Sequence, residues 1–202
     1  MILFLLSCTK NVKEVDSGSP ALALPSCAAV MERSFSPITM DDIATLLIET
    51  RALVPELDAA TIELTSIESE STFLAANVDL VTAGNEPFAR TYIIQINPLL
   101  LESSLSGAGT VAILVHELKH ILDYTGMDAL EFAEFGLWYA QGDVAEYERE
   151  TDLFSMERGC AEGLIEFRLW LYEQISAAVL EEKKRNYYTP EELEVWLENN
   201  PS

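Results

Sequence analysis

The sequence predicts an α+β domain, because segments with helical periodicity enclose one stretch that alternates every second residue. Between residues 61 and 97, apolar and polar side chains alternate as they do in strands with one buried face. Before and after this stretch, apolar residues recur at the three- and four-residue spacing of helices. With 202 residues and a hydrophobic content of 49%, the chain is long enough to form one domain with a substantial core.

The alternating stretch divides into three strands that are predicted to form a small antiparallel sheet. The segment "TIELTSI" places Ile62 and Leu64 between polar neighbours, and "NVDLV" does the same with Val78 and Leu80. The residues "TAGNEP" then form a turn. The last strand, "TYIIQIN", carries its apolar residues on one face: Tyr92, Ile94 and Ile96.

Helices are predicted on both sides of this sheet. Thr39 and Asp42 give a capping-box-like start to the first helix, and Thr189 followed by Pro190 gives a similar start to the last. Between them, helices are predicted at about 98–104, 109–124 and 128–140. A long helix is predicted to begin after Asp143 and to run to about Ser176.

The segment "VHELKHILD" contains the only two histidines of the chain, four residues apart. Residues at this spacing lie on one face of a helix, so His116 and His120 are able to hold one metal ion together. Glu117 lies beside them, where its carboxylate is able to reach a metal-activated water without ligating the metal. The sequence therefore predicts a zinc site, the alternative being an apolar helix with two incidental histidines.

A catalytic zinc site needs a third protein ligand, and no third histidine exists. The acidic cluster at 145–157 offers five candidates: Glu146, Glu148, Glu150, Asp152 and Glu157. On a continuous helix, short side chains would lie within about 60° of Glu148. These residues are Asp152, Ser155, Gly159 and Gly163. The other glutamates would lie near the opposite side together with Arg168, a pattern typical of a solvated face.

In these two motifs the chain resembles the gluzincin metallopeptidases, in which His-Glu-x-x-His is followed by a glutamate ligand, often within Glu-x-x-x-Asp. Here Glu148 and Asp152 match the second motif. The resemblance covers roughly residues 61 to 165. It implies a zincin-like α+β fold, with a small antiparallel sheet packed on an active-site helix and on a long helix that bears the glutamate. It also implies that a sheet edge holds the peptide substrate, with residues 91–97 as the candidate edge.

The resemblance further implies a role for each residue of the site. His116, His120 and Glu148 bind one Zn²⁺, and Glu117 is the general base. Apart from the resemblance, Asp152 and Asp123 each fall on a site-facing surface, where a carboxylate typically orients a ligating histidine; the alternative is a solvated acid at the end of a helix. Family members usually carry a tyrosine or histidine that stabilises the oxyanion. No histidine is left for this role, and five tyrosines stay open as candidates: Tyr124, Tyr139, Tyr147, Tyr187 and Tyr188.

The chain begins with a short apolar run, and residues 5–8, "LLSC", resemble the lipobox of bacterial lipoproteins. We therefore expect a short signal peptide at 1–7, lipidation of Cys8, a tether at 8–35 and the metallopeptidase domain at 36–202. The run is shorter than a normal signal core and lacks a preceding base, as expected if translation starts further upstream. In an exported protein Cys27 and Cys160 remain as an even pair, for which a disulfide and two buried thiols are both open.

The chain has 34 acidic and 12 basic residues, and the resulting formal net charge of −22 restricts the partners of the protein. Nucleic acids and anionic membrane surfaces would repel such a chain. We therefore expect a zinc-dependent peptidase that acts on peptides or proteins, exported to the bacterial cell envelope and anchored by lipid at the outer membrane or cell surface. The alternative is a non-catalytic, peptidase-like binding lipoprotein with a structural or capture zinc site.

Overall fold

The computed structural model describes Cys27 and residues 37–201, and these residues form an α+β fold. Helix α1 (Met40–Thr50) precedes three strands, β1 (Thr61–Ser66), β2 (Leu74–Val78) and β3 (Thr91–Ile96). The remaining helices follow the sheet: α2 (Pro98–Leu101), α3 (Gly107–Thr125), α4 (Ala129–Tyr139), α5 (Ala145–Glu157), α6 (Ala161–Gln174), α7 (Ala177–Asn186) and α8 (Pro190–Asn199). Within the described ranges, no helix combines the length and the apolar character needed to cross a membrane.

The three strands form a mixed sheet in the order β1-β3-β2, so the prediction of an antiparallel sheet was wrong. β3 runs parallel to β1 and antiparallel to β2. The alternation of residues gives the buried face of each strand, but it does not determine which strands are neighbours. β3 inserts between the two earlier strands, so residues 91–97, predicted to form an edge, occupy the centre. β2 forms the edge that lies beside α3.

The buried face of β3 is the predicted one, since Tyr92, Ile94 and Ile96 are all buried. They join one hydrophobic core with the apolar residues of α3. The second strand lies earlier than predicted, because it ends at Val78 and Leu80 is 88% exposed. The predicted alternation in "NVDLV" therefore continues past the end of the strand into a solvated turn.

Capping residues set the helix boundaries near the predicted positions. The predicted capping boxes are present at both Thr39 and Thr189, where each threonine accepts a backbone N–H and an acidic residue three positions later reaches back. α3 begins two residues earlier than predicted, because the Ser106 side chain accepts the backbone N–H of Gly109. Nine residues of α3 thus precede the first histidine, and all nine are buried.

The long helix predicted after Asp143 is two helices, because the chain turns between Glu157 and Ala161. Gly159 adopts a φ of 77° there, a conformation that favours glycine and commonly ends a helix. Helical phase does not continue across this turn, so the predicted solvated position of Arg168 was wrong. Arg168 lies on α6 and is only 2% exposed.

A disulfide joins Cys27 to Cys160 at this turn, with the two Cα atoms 5.1 Å apart. The backbone N–H of Cys27 also donates to the carbonyl oxygen of Arg158, over 3.0 Å. Cys27 is therefore attached to the turn between α5 and α6 by two bonds. Cys8, the predicted lipidation site, lies outside the described residues.

Helices α3 and α6 cross closely at Gly163. A Cβ atom on Gly163 would lie 2.8 Å from Ala112 Cβ and closer still to the carbonyl oxygen of Ala108. The neighbouring backbone is unable to yield as a flexible side chain would, so this crossing requires a residue without a side chain.

Two glycine substitutions at helical positions test this constraint. We expect Gly163→Ala to lower the free energy of unfolding by about 1–3 kcal/mol, because the added methyl group overpacks the crossing. Gly136→Ala on α4 meets nothing within 4 Å, and we expect it to stabilise the protein by about 0.5–1 kcal/mol through helix propensity. Urea unfolding of both variants provides the measurement. Stabilisation of similar size in both variants would show that the helix crossing accommodates a methyl group at Gly163.

Candidate metal centre

Helices α3 and α5 bring together three side chains that could hold a metal ion: His116, His120 and Glu148. The Nε2 atoms of the two histidines are 3.1 Å apart. Glu148 Oε2 lies 3.1 Å from His116 Nε2 and 3.5 Å from His120 Nε2. All three residues are buried, with exposures of 2%, 6% and 0%. The grouping is the one predicted from the sequence.

These separations match the geometry of a small tetrahedral ion. Ligand atoms that lie about 2.0–2.1 Å from zinc at tetrahedral angles are about 3.3 Å from one another. The three measured separations lie within a few tenths of an ångström of that value. The donor set of two imidazoles and one carboxylate suits zinc and other divalent transition metals, and three protein ligands leave a coordination position for water.

Asp152 orients His116 so that its Nε2 atom points to the other ligands. Asp152 Oδ1 lies 2.9 Å from His116 Nδ1 and accepts its hydrogen, which leaves the Nε2 lone pair for a metal. Burial acts to lower the pKa of His116, but hydrogen bonds to Asp152 and Glu148 outweigh it and raise the pKa to about 9. In metal-free protein near neutral pH, His116 therefore carries a proton at the position that a metal would occupy.

Asp152 is itself fixed by groups from two further elements. Arg168 Nη2 on α6 donates to both carboxylate oxygens of Asp152, over 2.9 and 3.1 Å. The backbone N–H of Tyr188, just before α8, donates to Oδ2 over 3.0 Å. Burial acts to raise the pKa of Asp152, but Arg168 and His116 hold it below its ordinary value. The carboxylate is thus ionised and accepts hydrogen bonds from three directions.

His120 is held by Tyr147, one of the five tyrosines that are candidates for stabilising the oxyanion. The hydroxyl oxygen of Tyr147 lies 2.8 Å from His120 Nδ1 and is positioned to accept its hydrogen. Asp123, predicted to orient a ligand, forms an ion pair with Lys119. Its connection to the site runs through Tyr147, whose pKa is raised by burial, by Tyr124 and by Asp123.

Glu148 receives a hydrogen bond from the hydroxyl of Tyr139 at Oε1, while Oε2 points to the histidines. Burial acts to raise the pKa of Glu148, but the hydrogen bonds from His116 and His120 outweigh it, and the pKa lies well below its ordinary value. The carboxylate is therefore ionised throughout the neutral range, as a metal ligand must be.

Glu117 lies beside the three ligands but is oriented differently. The backbone N–H of Ala76 on β2 donates to Glu117 Oε2 over 2.7 Å. This bond holds the carboxylate of Glu117 toward the sheet edge, and the other oxygen, Oε1, takes no part in it. Glu117 also borders two cavities, one of about 40 Å³ and one of about 370 Å³. The centre is buried but accessible, because His116 lines the smaller cavity and His120 the larger.

Sequence reasoning missed the contributions of Arg168, Tyr139 and Tyr147 to this centre. The sequence signal for the position of Arg168 is Gly159. Glycine typically follows the end of a helix, and a helix break at Gly159 changes the helical phase of the residues after it, Arg168 among them. Tyr139 and Tyr147 stood among five tyrosines without any local pattern that distinguishes them. Their contacts depend on how α4 and α5 pack, which a single sequence does not display.

Two histidines and a glutamate from two packed helices, with a second glutamate beside them, define a candidate centre for one metal ion. Comparisons with protein-family models, curated proteins and solved structures give no match for this chain. The function proposed below therefore rests on the residues of this chain alone.

A pair of alanine substitutions on α5 tests the ligand set. We expect Glu148→Ala to weaken zinc binding by more than the roughly 10- to 100-fold loss typical of residues that only support a ligand. Glu150→Ala removes the same charge from an exposed position two residues away, and its zinc affinity should equal that of the wild type. Competition with a chromogenic chelator measures both. Equal losses of zinc affinity in the two variants would show that the Glu148 substitution acts only through the net charge of the protein.

The raised pKa of His116 predicts a pH dependence of metal binding. The ion must displace the proton from Nε2, so below pH 9 we expect close to one proton released per ion bound. Apparent affinity should then rise about tenfold per pH unit between pH 6 and 8 and level off near pH 9. Calorimetry in two buffers of different ionisation enthalpy counts the protons. Binding at pH 7 without proton release would contradict this result.

Proposed function

We propose that the protein is a zinc-dependent peptidase in which Glu117 is the general base. The observation that carries the proposal is the position of Glu117, adjacent to the three-residue donor set, excluded from it and bordering both cavities. A site that binds zinc only for structure has no need of a free carboxylate beside an accessible coordination position.

The chemistry follows from the donor set and from Glu117. A zinc ion held by two histidines and a glutamate supplies a Lewis acid that lowers the pKa of water and polarises a carbonyl group. Glu117 accepts one proton from the water that attacks the peptide carbonyl carbon. It then delivers that proton to the leaving nitrogen as the C–N bond breaks, which yields a carboxylate and an amine.

The free edge of β2 is the surface that supports substrate binding. Phe73 and Asp79, at either end of this strand, form backbone hydrogen bonds with β3, so the backbone groups of Leu74, Ala76 and Val78 point away from β3. The N–H of Ala76 is donated to Glu117, which leaves the Ala76 carbonyl and the backbone groups of Leu74 and Val78 for a peptide. The larger cavity is lined by residues 74–77 of this strand. An extended peptide would add to β2 there by backbone hydrogen bonds, which places its carbonyl groups over Glu117.

Among the five tyrosines, Tyr187 is the best candidate to stabilise the oxyanion. Tyr139 donates to Glu148 and Tyr147 contacts His120, so both hydroxyls support ligands. Tyr187 lines both cavities beside Glu117, and within the described residues its hydroxyl forms no hydrogen bond. Burial raises its pKa well above the ordinary value, which keeps the hydroxyl protonated and able to donate.

The partners proposed for this activity are peptides or unfolded protein segments rather than nucleic acids, which the net charge of −22 disfavours. Export and lipid anchoring at Cys8 stay predictions that rest on residues 1–8. The alternative function, zinc capture without catalysis, uses the same ligands and differs in giving Glu117 no proton to transfer.

Glu117→Gln separates these two functions. We expect zinc stoichiometry near that of the wild type, because Glu117 is not among the ligands, and a loss of hydrolysis of about 10²- to 10⁴-fold, because glutamine does not accept the proton. Glu150→Gln is the matched control on an exposed surface and should retain full activity. The measurement is cleavage of a peptide library followed by mass spectrometry. Undiminished cleavage by Glu117→Gln would exclude the general-base role.

A further inference from the structure

The smaller cavity beside Glu117 is lined by a lysine that has no role in the proposed chemistry. Lys183 lies in the last turn of α7, is partly buried, and lines both cavities. Among the residues that the structure describes, its ammonium group forms no hydrogen bond and no ion pair. Its one recorded contact is with the ring of Tyr187, 5.1 Å from the centroid. Burial and Arg168 lower the pKa of Lys183, and the carboxylates of Glu148, Glu182 and Glu117 offset part of that shift without bonding to the ammonium group.

Arg168 supplies a second cation to the same cavity. Its Nη2 atom is bonded to Asp152, but its Nε–H is buried and has no acceptor within the described part of the chain. The guanidinium carbon lies 4.5 Å from the centroid of the Tyr187 ring, which Lys183 also approaches. Two cations therefore lie near one aromatic ring that lines both cavities.

The charge of this cavity is opposite to that of the molecule. Its lining includes Lys183 and Arg168 but a single carboxylate, that of Glu117, whereas the chain as a whole carries −22. Its volume is about 40 Å³, enough for a carboxylate-sized group but not for a large side chain. The cavity of about 370 Å³, which Glu117, Lys183 and Tyr187 also line, is bordered by aromatic residues, among them Phe132, Phe135 and Tyr139.

We infer that the smaller cavity binds the free α-carboxylate of a peptide, with Lys183 as its counter-ion, and that the enzyme removes residues from the C-terminus. This inference rests on the proposed peptidase function. Water adds across the last peptide bond, Glu117 transfers the proton to the leaving nitrogen, and one free amino acid departs with its carboxylate beside Lys183. The penultimate residue occupies the larger cavity, which suits an apolar or aromatic side chain.

A pair of peptides that differ in one group tests the inference on zinc-loaded protein. The peptides are N-acetyl-alanyl-phenylalanyl-alanine and its C-terminal amide. We expect the wild type to cleave the terminal alanine from the free acid with a kcat/KM at least about tenfold above that for release of alaninamide from the amide, the size of one charge-assisted hydrogen bond. Lys183→Met should remove this preference by slowing the acid while leaving the amide nearly unchanged.

Lys184→Met is the matched control, because it removes the same charge from the next residue of α7, which is exposed. It should retain the wild-type preference. If Lys183→Met slows both peptides equally, Lys183 acts on the reacting carbonyl and the inference is wrong. A wild type that prefers the amide, or that cuts only internal bonds, would also overturn it.

Binding provides a readout that does not require turnover. Calorimetry with zinc-loaded Glu117→Gln protein compares the two peptides, and the acid should bind at least about tenfold more tightly, a difference that the added Lys183→Met substitution abolishes. If the acid binds preferentially but the wild type cleaves neither peptide, the carboxylate site stands and the peptidase function fails. Equal binding, or no binding of either peptide at millimolar concentration, refutes the carboxylate site.

Discussion

The carboxylate of Asp152 is the point on which the candidate centre depends. It accepts hydrogen bonds from His116 on α3, Arg168 on α6 and the backbone before α8, and it belongs to α5 itself. Four elements are thereby connected at one buried group. A shift of any of them would rotate the His116 ring, and the three ligand atoms would no longer lie at the spacing a small ion requires.

Such a cluster is expensive to bury, which explains its arrangement. His116, Glu148, Asp152 and Arg168 are all nearly inaccessible, and charges taken out of water cost several kcal/mol each unless they are paired. The proton on His116 balances part of the negative charge in metal-free protein, and a divalent ion would replace that proton. The site is therefore organised in the metal-free protein, at an energetic cost to the fold that a bound metal ion would offset.

The parts of this structure that could be predicted from the sequence are those with a local signal. The histidine pair lies on one helix, and Glu148 and Asp152 lie one turn apart, so short-range periodicity was enough to place them. The buried face of β3 followed from alternation in the same way. Strand order could not be predicted in this way, because the insertion of β3 between β1 and β2 depends on contacts between residues that are distant in sequence. Arg168 and Lys183 could not be placed either, because Gly159 and the later turns change the direction of the chain between each residue and the site.

The disulfide has a topological consequence for the metal centre. The bond between Cys27 and Cys160 closes a covalent ring that contains the whole sheet, α3 and α5. All three candidate ligands lie inside this ring, whereas Arg168, Lys183 and Tyr187 follow it in the chain. An oxidised chain that unfolds keeps its ligands in a closed loop, where their effective concentration is higher than in an open chain. The candidate metal ligands thus lie within the covalent ring, whereas Lys183, proposed to bind the α-carboxylate, lies outside it.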